Sequence, residues 1–159
     1  MKTLLYGGRV VDPANHRDGL FNVLIEDDKI VWVGTDLPEA DVKIDITGKV
    51  LTPGFIDIHM HEDPVKDGKI AQCIFPMMLH MGVTTAVGGQ CGINTAHPGT
   101  YLDLVDAQGA AVNVAMLAGH EYFRKAAGAA DIYAGSTEEQ LQAMEKGICE
   151  ALEQGCMGV

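Results

Sequence analysis

Two patterns of apolar and polar positions divide this chain. Over residues 1–52, short apolar runs are broken every few residues by turn-forming sequences such as Asp12-Pro13-Ala14-Asn15, Glu26-Asp27-Asp28-Lys29 and Thr47-Gly48-Lys49. Strands are expected at residues 3–6, 9–11, 22–26, 30–33 and 42–45, and Ile30-Val31-Trp32-Val33 has the β-branched and aromatic character of one. This first third reads as a small β module.

From Val50 onward the pattern changes to strand and helix in alternation. The spacing predicts a strand over 55–61 and a helix over 70–81, with Gly82 as its C-cap and a kink or a division at Pro76. A strand over 83–87 runs through glycines to Cys91. A helix over 101–109 and a strand over 113–118 follow. Ser136 and Glu139 form a capping-box pattern ahead of a helix whose apolar face carries Leu141, Met144, Ile148 and Leu152, closed by Gly155. The run Cys156-Met157-Gly158-Val159 reads as the opening of a further strand. Such alternation implies parallel βα units, so the fold class is α/β, with a β portion over 1–52 and βα units over 53–159. Three to four such units are too few for a closed eight-fold barrel, which takes about 250 residues. The expectation is therefore the N-terminal part of a larger protein.

The run Pro53-Gly54-Phe55-Ile56-Asp57-Ile58-His59-Met60-His61 carries the clearest chemistry. On an extended strand Asp57, His59 and His61 share one face, while Ile56, Ile58 and Met60 share the apolar other, open to cover by helices. Two imidazoles on one face suit a divalent cation. The competing expectation is a pair of core histidines held by hydrogen bonds.

Composition narrows the classes. The chain has 159 residues, 47% hydrophobic and 21% charged, which suits a folded domain with a core. Its net charge of -11 argues against nucleic acid and anionic membrane as partners. No apolar stretch reaches the ~18 residues of a membrane span, and the N-terminus lacks signal-peptide character, so the cytoplasm is the expected compartment. Cys73, Cys91, Cys149 and Cys156 show no Cys-x-x-Cys spacing. Cys73 and Cys149 are expected in the core.

Cys91 ends a strand in Val87-Gly88-Gly89-Gln90-Cys91-Gly92-Ile93-Asn94. Strand C-termini form the active face of parallel α/β folds, so its thiol either joins the histidines at a metal or is a buried, inert cysteine. His120 follows the third βα strand and is a candidate for substrate or metal contact, as against loop hydrogen bonding. Tyr122 and Arg124 could meet an acidic substrate group. Glu62 and Asp63 either orient a metal ligand or are solvated loop carboxylates. His97 is expected at the surface, and His80 and His16 in structural roles. Dinucleotide, phosphate-loop and serine-elbow motifs are absent.

The Pro53–His61 run after a β-rich start resembles the amidohydrolase superfamily, metal-dependent hydrolases with a distorted (β/α)8 barrel and a β-sandwich built from both chain ends. The segment from Gly82 to Asn94 looks like the second-strand motif of the D-aminoacylase (N-acyl-D-amino-acid deacylase) family. Asn113-Val114-Ala115-Met116-Leu117-Ala118-Gly119-His120 with Arg124 is similar to its third strand and loop, and residues 151–159 to the approach to its fourth.

The resemblance implies a β-sandwich portion over 1–52 and the first three to four βα units of an incomplete barrel over 53–159. It implies one or two Zn2+ ions held by His59, His61 and Cys91. The family's further histidines, from its fifth and sixth strands, and its catalytic aspartate, from the eighth, have no counterpart in this sequence. Glu62-Asp63-Pro64 also departs from the two aspartates that often follow its His-x-His.

The implied function is hydrolysis of a small-molecule N-acyl-D-amino acid by metal-activated water, with the 159-residue chain itself inactive. A dihydroorotase- or hydantoinase-like cyclic-amide hydrolase, favoured by a bridging lysine, is the first alternative. A non-catalytic metal-binding fragment, completed by self-association or by a missing C-terminal portion, is the second.

Overall fold

The computed structural model describes all 159 residues, in two compact units, Met1–Pro53 and Gly54–Val159. The first unit contains β1 (Lys2–Tyr6), β2 (Arg9–Asp12), β3 (Arg17–Leu20), β4 (Asn22–Glu26), β5 (Lys29–Gly34), β6 (Val42–Asp45) and β7 (Val50–Leu51). They form a four-stranded sheet in the order β5-β4-β1-β6 and a three-stranded sheet in the order β3-β2-β7. Leu4, Val10, Val23 and Leu24 are its buried apolar residues. The buried Asn22 amide accepts from Gly7 N at 3.0 Å and donates to the carbonyls of Thr35 and Asp36, so one side chain ties two loops together.

Two strands of this unit escape the hydrophobic pattern. β3 is the polar sequence Arg-Asp-Gly-Leu, held by antiparallel pairing to β2 and by a two-pronged ion pair between Arg9 and Asp18 at 2.7 and 2.8 Å. β7 is two residues long and pairs parallel with β2.

The second unit contains β8 (Phe55–Asp57), β9 (Val65–Lys66), β10 (Lys69–Ile70), α1 (Ile74–His80), β11 (Val83–Gly88), α2 (Pro98–Gln108), β12 (Asn113–Met116), α3 (His120–Ala126) and α4 (Glu138–Glu153). β8, β11 and β12 form a parallel three-stranded sheet with β11 in the middle. Its core gathers Met60, Phe75, Ala86, Tyr101, Met116, Phe123, Met144 and Ala151. After α4, Met157 N donates to Met116 O at 2.9 Å, and Gly158 O accepts from Ala118 N at 2.8 Å. These bonds lay the last residues alongside the end of β12 without a regular strand.

Several boundaries differ from expectation. The strand expected over 55–61 stops at Asp57, whose carboxylate accepts from His59 N at 2.9 Å and turns the backbone there. The region from 65 to 81 begins with the β9–β10 hairpin, and α1 starts only at Ile74. Pro76 therefore falls in the first turn of α1, where its missing N–H would have had no partner, and it causes no kink. α2 starts at Pro98, the favoured first helical position for proline.

The capping box of α4 uses Thr137 and Gln140, one residue later than the Ser136–Glu139 pattern, because the Ser136 hydroxyl accepts from Arg124. The buried face of α4 centres on Met144 and Ala151, leaving Leu141 and Leu152 exposed. A Cβ on Gly147 would stand 2.7 Å from the Phe123 ring, so a close approach of α3 sets that rotation.

Cys73 precedes α1 and Cys149 lies on the solvent side of α4, so both are exposed rather than in the core. Ile56 and Ile58 are 65% and 70% exposed, because β8 is an edge strand and no helix covers that face. No helix is long and apolar enough to cross a membrane.

Candidate metal centre

Parallel pairing brings the C-terminal ends of β8 and β11 together, and the two segments that leave them carry the candidate ligands. Beyond the last paired residues a single backbone bond, Met60 N to Val87 O at 3.0 Å, continues the register. Met60 is buried and its neighbours His59 and His61 are exposed, whereas Ile56 and Ile58, expected on the same face as Met60, are exposed too. The two imidazoles lie with ring centroids 5.5 Å apart at an interplanar angle of 61°.

Cys91 reaches them from β11. Its Sγ is 3.5 Å from His59 Nε2, and one donor atom from each of His59, His61 and Cys91 lies within 4.8 Å of the other two. Two imidazole nitrogens and one sulfur are a donor set that suits zinc, which accepts both ligand types. All three residues are exposed, so a small molecule has access. This is the fit of the residues to a metal, and it rests on converging donors rather than on acidic character.

The thiol is presented by an unusual backbone. Cys91 has φ 57°, flanked by Gly89 at 82° and Gly92 at 74°, in a tight turn that L-residues rarely adopt. A Cβ on Gly89 would lie 2.3 Å from Leu117 O, and one on Gly119 would lie 2.5 Å from Gly92 O. The glycines thus serve close approach of the Cys91 loop to the end of β12.

Beneath the three donors lies a buried polar layer. Glu62, Asp63 and Asn94 are 5%, 3% and 8% exposed, so the two carboxylates are not solvated loop residues. Asn94 Nδ2 donates to Glu62 Oε1 at 2.8 Å, and its Oδ1 accepts from Gly119 N at 2.7 Å. Asp63 Oδ2 accepts from the amides of Cys73 and Ile74, at 2.9 and 2.8 Å, fixing the start of α1. Burial raises the pKa of Tyr101, and the charges of Asp63 and Glu62 raise it further. Burial likewise raises that of the Cys156 thiol. Asn94 had no signal in the sequence beyond its place three residues after Cys91.

The remaining candidates lie outside the three-donor cluster. His120 opens α3 and is exposed, lining a small depression with Glu121, Arg124 and Ile132. Arg124 is committed to the α3–α4 connection, donating to the carbonyls of Asp131 and Ala134 at 2.7 Å each and to Ser136 Oγ at 3.0 Å. Tyr122 packs edge-on against Phe123 and His97, at centroid distances of 5.2 and 6.2 Å. His97 is therefore half-buried in an aromatic cluster rather than at the surface.

No protein-family model matches the chain. The D-aminoacylase of Alcaligenes xylosoxydans xylosoxydans is 32% identical over 98% of this chain and 36% of its own length. A dihydroorotase of Syntrophotalea carbinolica matches locally, at 54% identity over 66 residues, 40% of this chain and 16% of that protein. A solved D-aminoacylase structure, described by its binuclear metal centre, superposes with a TM-score of 0.84 at 32% identity, covering 98% of this chain and 37% of its own. The N-acyl-D-glutamate deacylase of Bordetella bronchiseptica, complexed with zinc and a phosphonate inhibitor, gives 0.81 at 27% identity, with the same coverage of 98% and 37%. The chain thus spans little more than a third of the length of the deacylases that it matches. It belongs to the D-aminoacylase family of amidohydrolases, to whose N-terminal part it corresponds.

Proposed function

We propose that this chain carries the first metal ligands of a zinc-dependent hydrolase that cleaves the amide bond of N-acyl-D-amino acids. The observation that carries the reading is the convergence of His59, His61 and Cys91 on one point at the ends of two adjacent parallel strands. Bound there, one or two zinc ions would supply a Lewis acid for the scissile carbonyl and would activate water for attack. The chain's own residues present two imidazoles and a sulfur donor, hold them on an exposed rim and leave room for a small substrate. His120 is the substrate-side candidate with a free, exposed ring. Arg124 and Tyr122 act by shaping the wall behind it, through the bonds and ring contacts described above.

In this reading residues 1–52 are a β-sandwich portion and residues 53–159 the first βα units of an incomplete (β/α)8 barrel. On this reading the proton-transferring carboxylate and the further histidines are not among these 159 residues. The four free cysteines suit a reducing cytoplasm.

A cyclic-amide hydrolase of the dihydroorotase type draws support from the local 54% identity. It is the weaker reading, because alignment to the deacylases runs through 98% of the chain and because Cys91 stands where a bridging lysine would favour that class.

The test is metal content and turnover of the purified 159-residue chain. The expected outcome is bound zinc, less zinc in Cys91→Ser, and no hydrolysis of N-acetyl-D-amino acids. Turnover by this chain would contradict the dependence on further residues. Unchanged zinc in Cys91→Ser would return that thiol to a structural role.

A further inference from the structure

Regular pairing of β8 with β11 ends at Asp57 and Ala86, short of both ligand-bearing turns. Past that point the spacing between the histidine turn and the Cys91 turn rests on the Met60–Val87 bond and on side chains. Glu62 follows His61 directly, and Asn94 lies three residues after Cys91, so the 2.8 Å bond between them spans the two ligand segments. Asn94 continues to the end of β12 through Gly119 N and, at 3.3 Å, Leu117 O. Thr95 Oγ1 donates to Asp63 O at 3.2 Å and repeats the same tie one residue further along each segment.

The fit is close: a Cβ on Gly88 would stand 3.0 Å from Glu62 Cγ. Glu62 Oε2 is buried without a partner, so the ordered contact of this carboxylate is the one that Oε1 makes to Asn94.

We propose that Glu62 and Asn94 are positioning residues, a buried clamp that sets the separation of His61 from Cys91. The inference rests on the metal reading above. The acceptor oxygen of Glu62 and the bridging amide of Asn94 perform the task, and the carboxylate's second oxygen does not.

Cobalt(II) titration of the 159-residue chain tests this, because the thiolate-to-cobalt charge-transfer absorption reports the sulfur ligand without any activity. In Asn94→Ala and Glu62→Ala, cobalt affinity should fall by about 10- to 100-fold and the charge-transfer band should weaken. Glu62→Gln keeps an oxygen that accepts from Asn94 and should restore both. Far-UV circular dichroism establishes that each variant is folded. If the alanine variants do not fold, Glu62→Gln decides alone: wild-type cobalt affinity supports the clamp, and a loss overturns it. An undiminished band and affinity in folded Asn94→Ala would also overturn it. A wild-type chain with no charge-transfer band would overturn the metal reading, and the clamp with it.

Discussion

Cys91 sits at φ 57°, where an L-residue meets steric resistance of about 1–2 kcal/mol. Glycine adopts this conformation freely but loses more chain entropy on folding. Cys91→Gly should therefore leave the metal-free chain's stability unchanged or raise it by up to about 1 kcal/mol, while removing metal binding. Urea unfolding in the presence of a chelator measures the first effect, and a loss well beyond 1 kcal/mol would show that the thiol is needed for packing.

Tyr101 offers a second residue-scale test, since its hydroxyl is buried without a well-formed partner. Tyr101→Phe should be neutral or stabilising by up to about 1 kcal/mol at pH 7. The folded pKa of Tyr101 is raised above the unfolded value. Its contribution is thus fully present below the phenol's ordinary pKa of 10.0 and is lost as pH rises toward the folded value. The wild type should lose more stability than Tyr101→Phe above pH 10, as read by urea midpoints on both sides of that value. Parallel pH profiles would contradict this.

At the scale of elements, the ends of α4 and β8 show what local pattern can and cannot specify. Ser136 and Thr137 both qualify as N-caps, and each has an acceptable partner three residues on. Choosing between them requires knowing that Arg124, distant by twelve residues, takes the Ser136 hydroxyl. Thr137→Ala should cost about 1 kcal/mol of stability, measurable as a lower unfolding midpoint, whereas Glu139→Ala, on the alternative pattern, should change it little.

The histidine pair was legible because its spacing survives even though the strand ends at Asp57. The β9–β10 hairpin and β3 were not, since short polar strands are selected by their pairing partners rather than by their own hydrophobicity. Glu62 was legible as a residue that could orient a ligand, but its burial and its partner Asn94 were not, because burial of a polar residue follows from tertiary enclosure.

For the whole molecule, the chain divides between Pro53 and Gly54 into the units Met1–Pro53 and Gly54–Val159. The order of a β-rich start, a His-x-His turn and a glycine-flanked cysteine carries the family resemblance in the sequence. The residues that complete a deacylase site are another matter, since the chain aligns with only 36% of its D-aminoacylase relative.

What these residues can be asked directly is whether they bind one ion through two histidines and a cysteine. Zinc K-edge X-ray absorption on the zinc-loaded chain answers that. The expected spectrum has one sulfur scatterer at about 2.3 Å and at least two imidazole nitrogens at about 2.0–2.1 Å, with the sulfur shell lost in Cys91→Ser. A wild-type spectrum with nitrogen and oxygen scatterers alone would contradict the three-ligand centre.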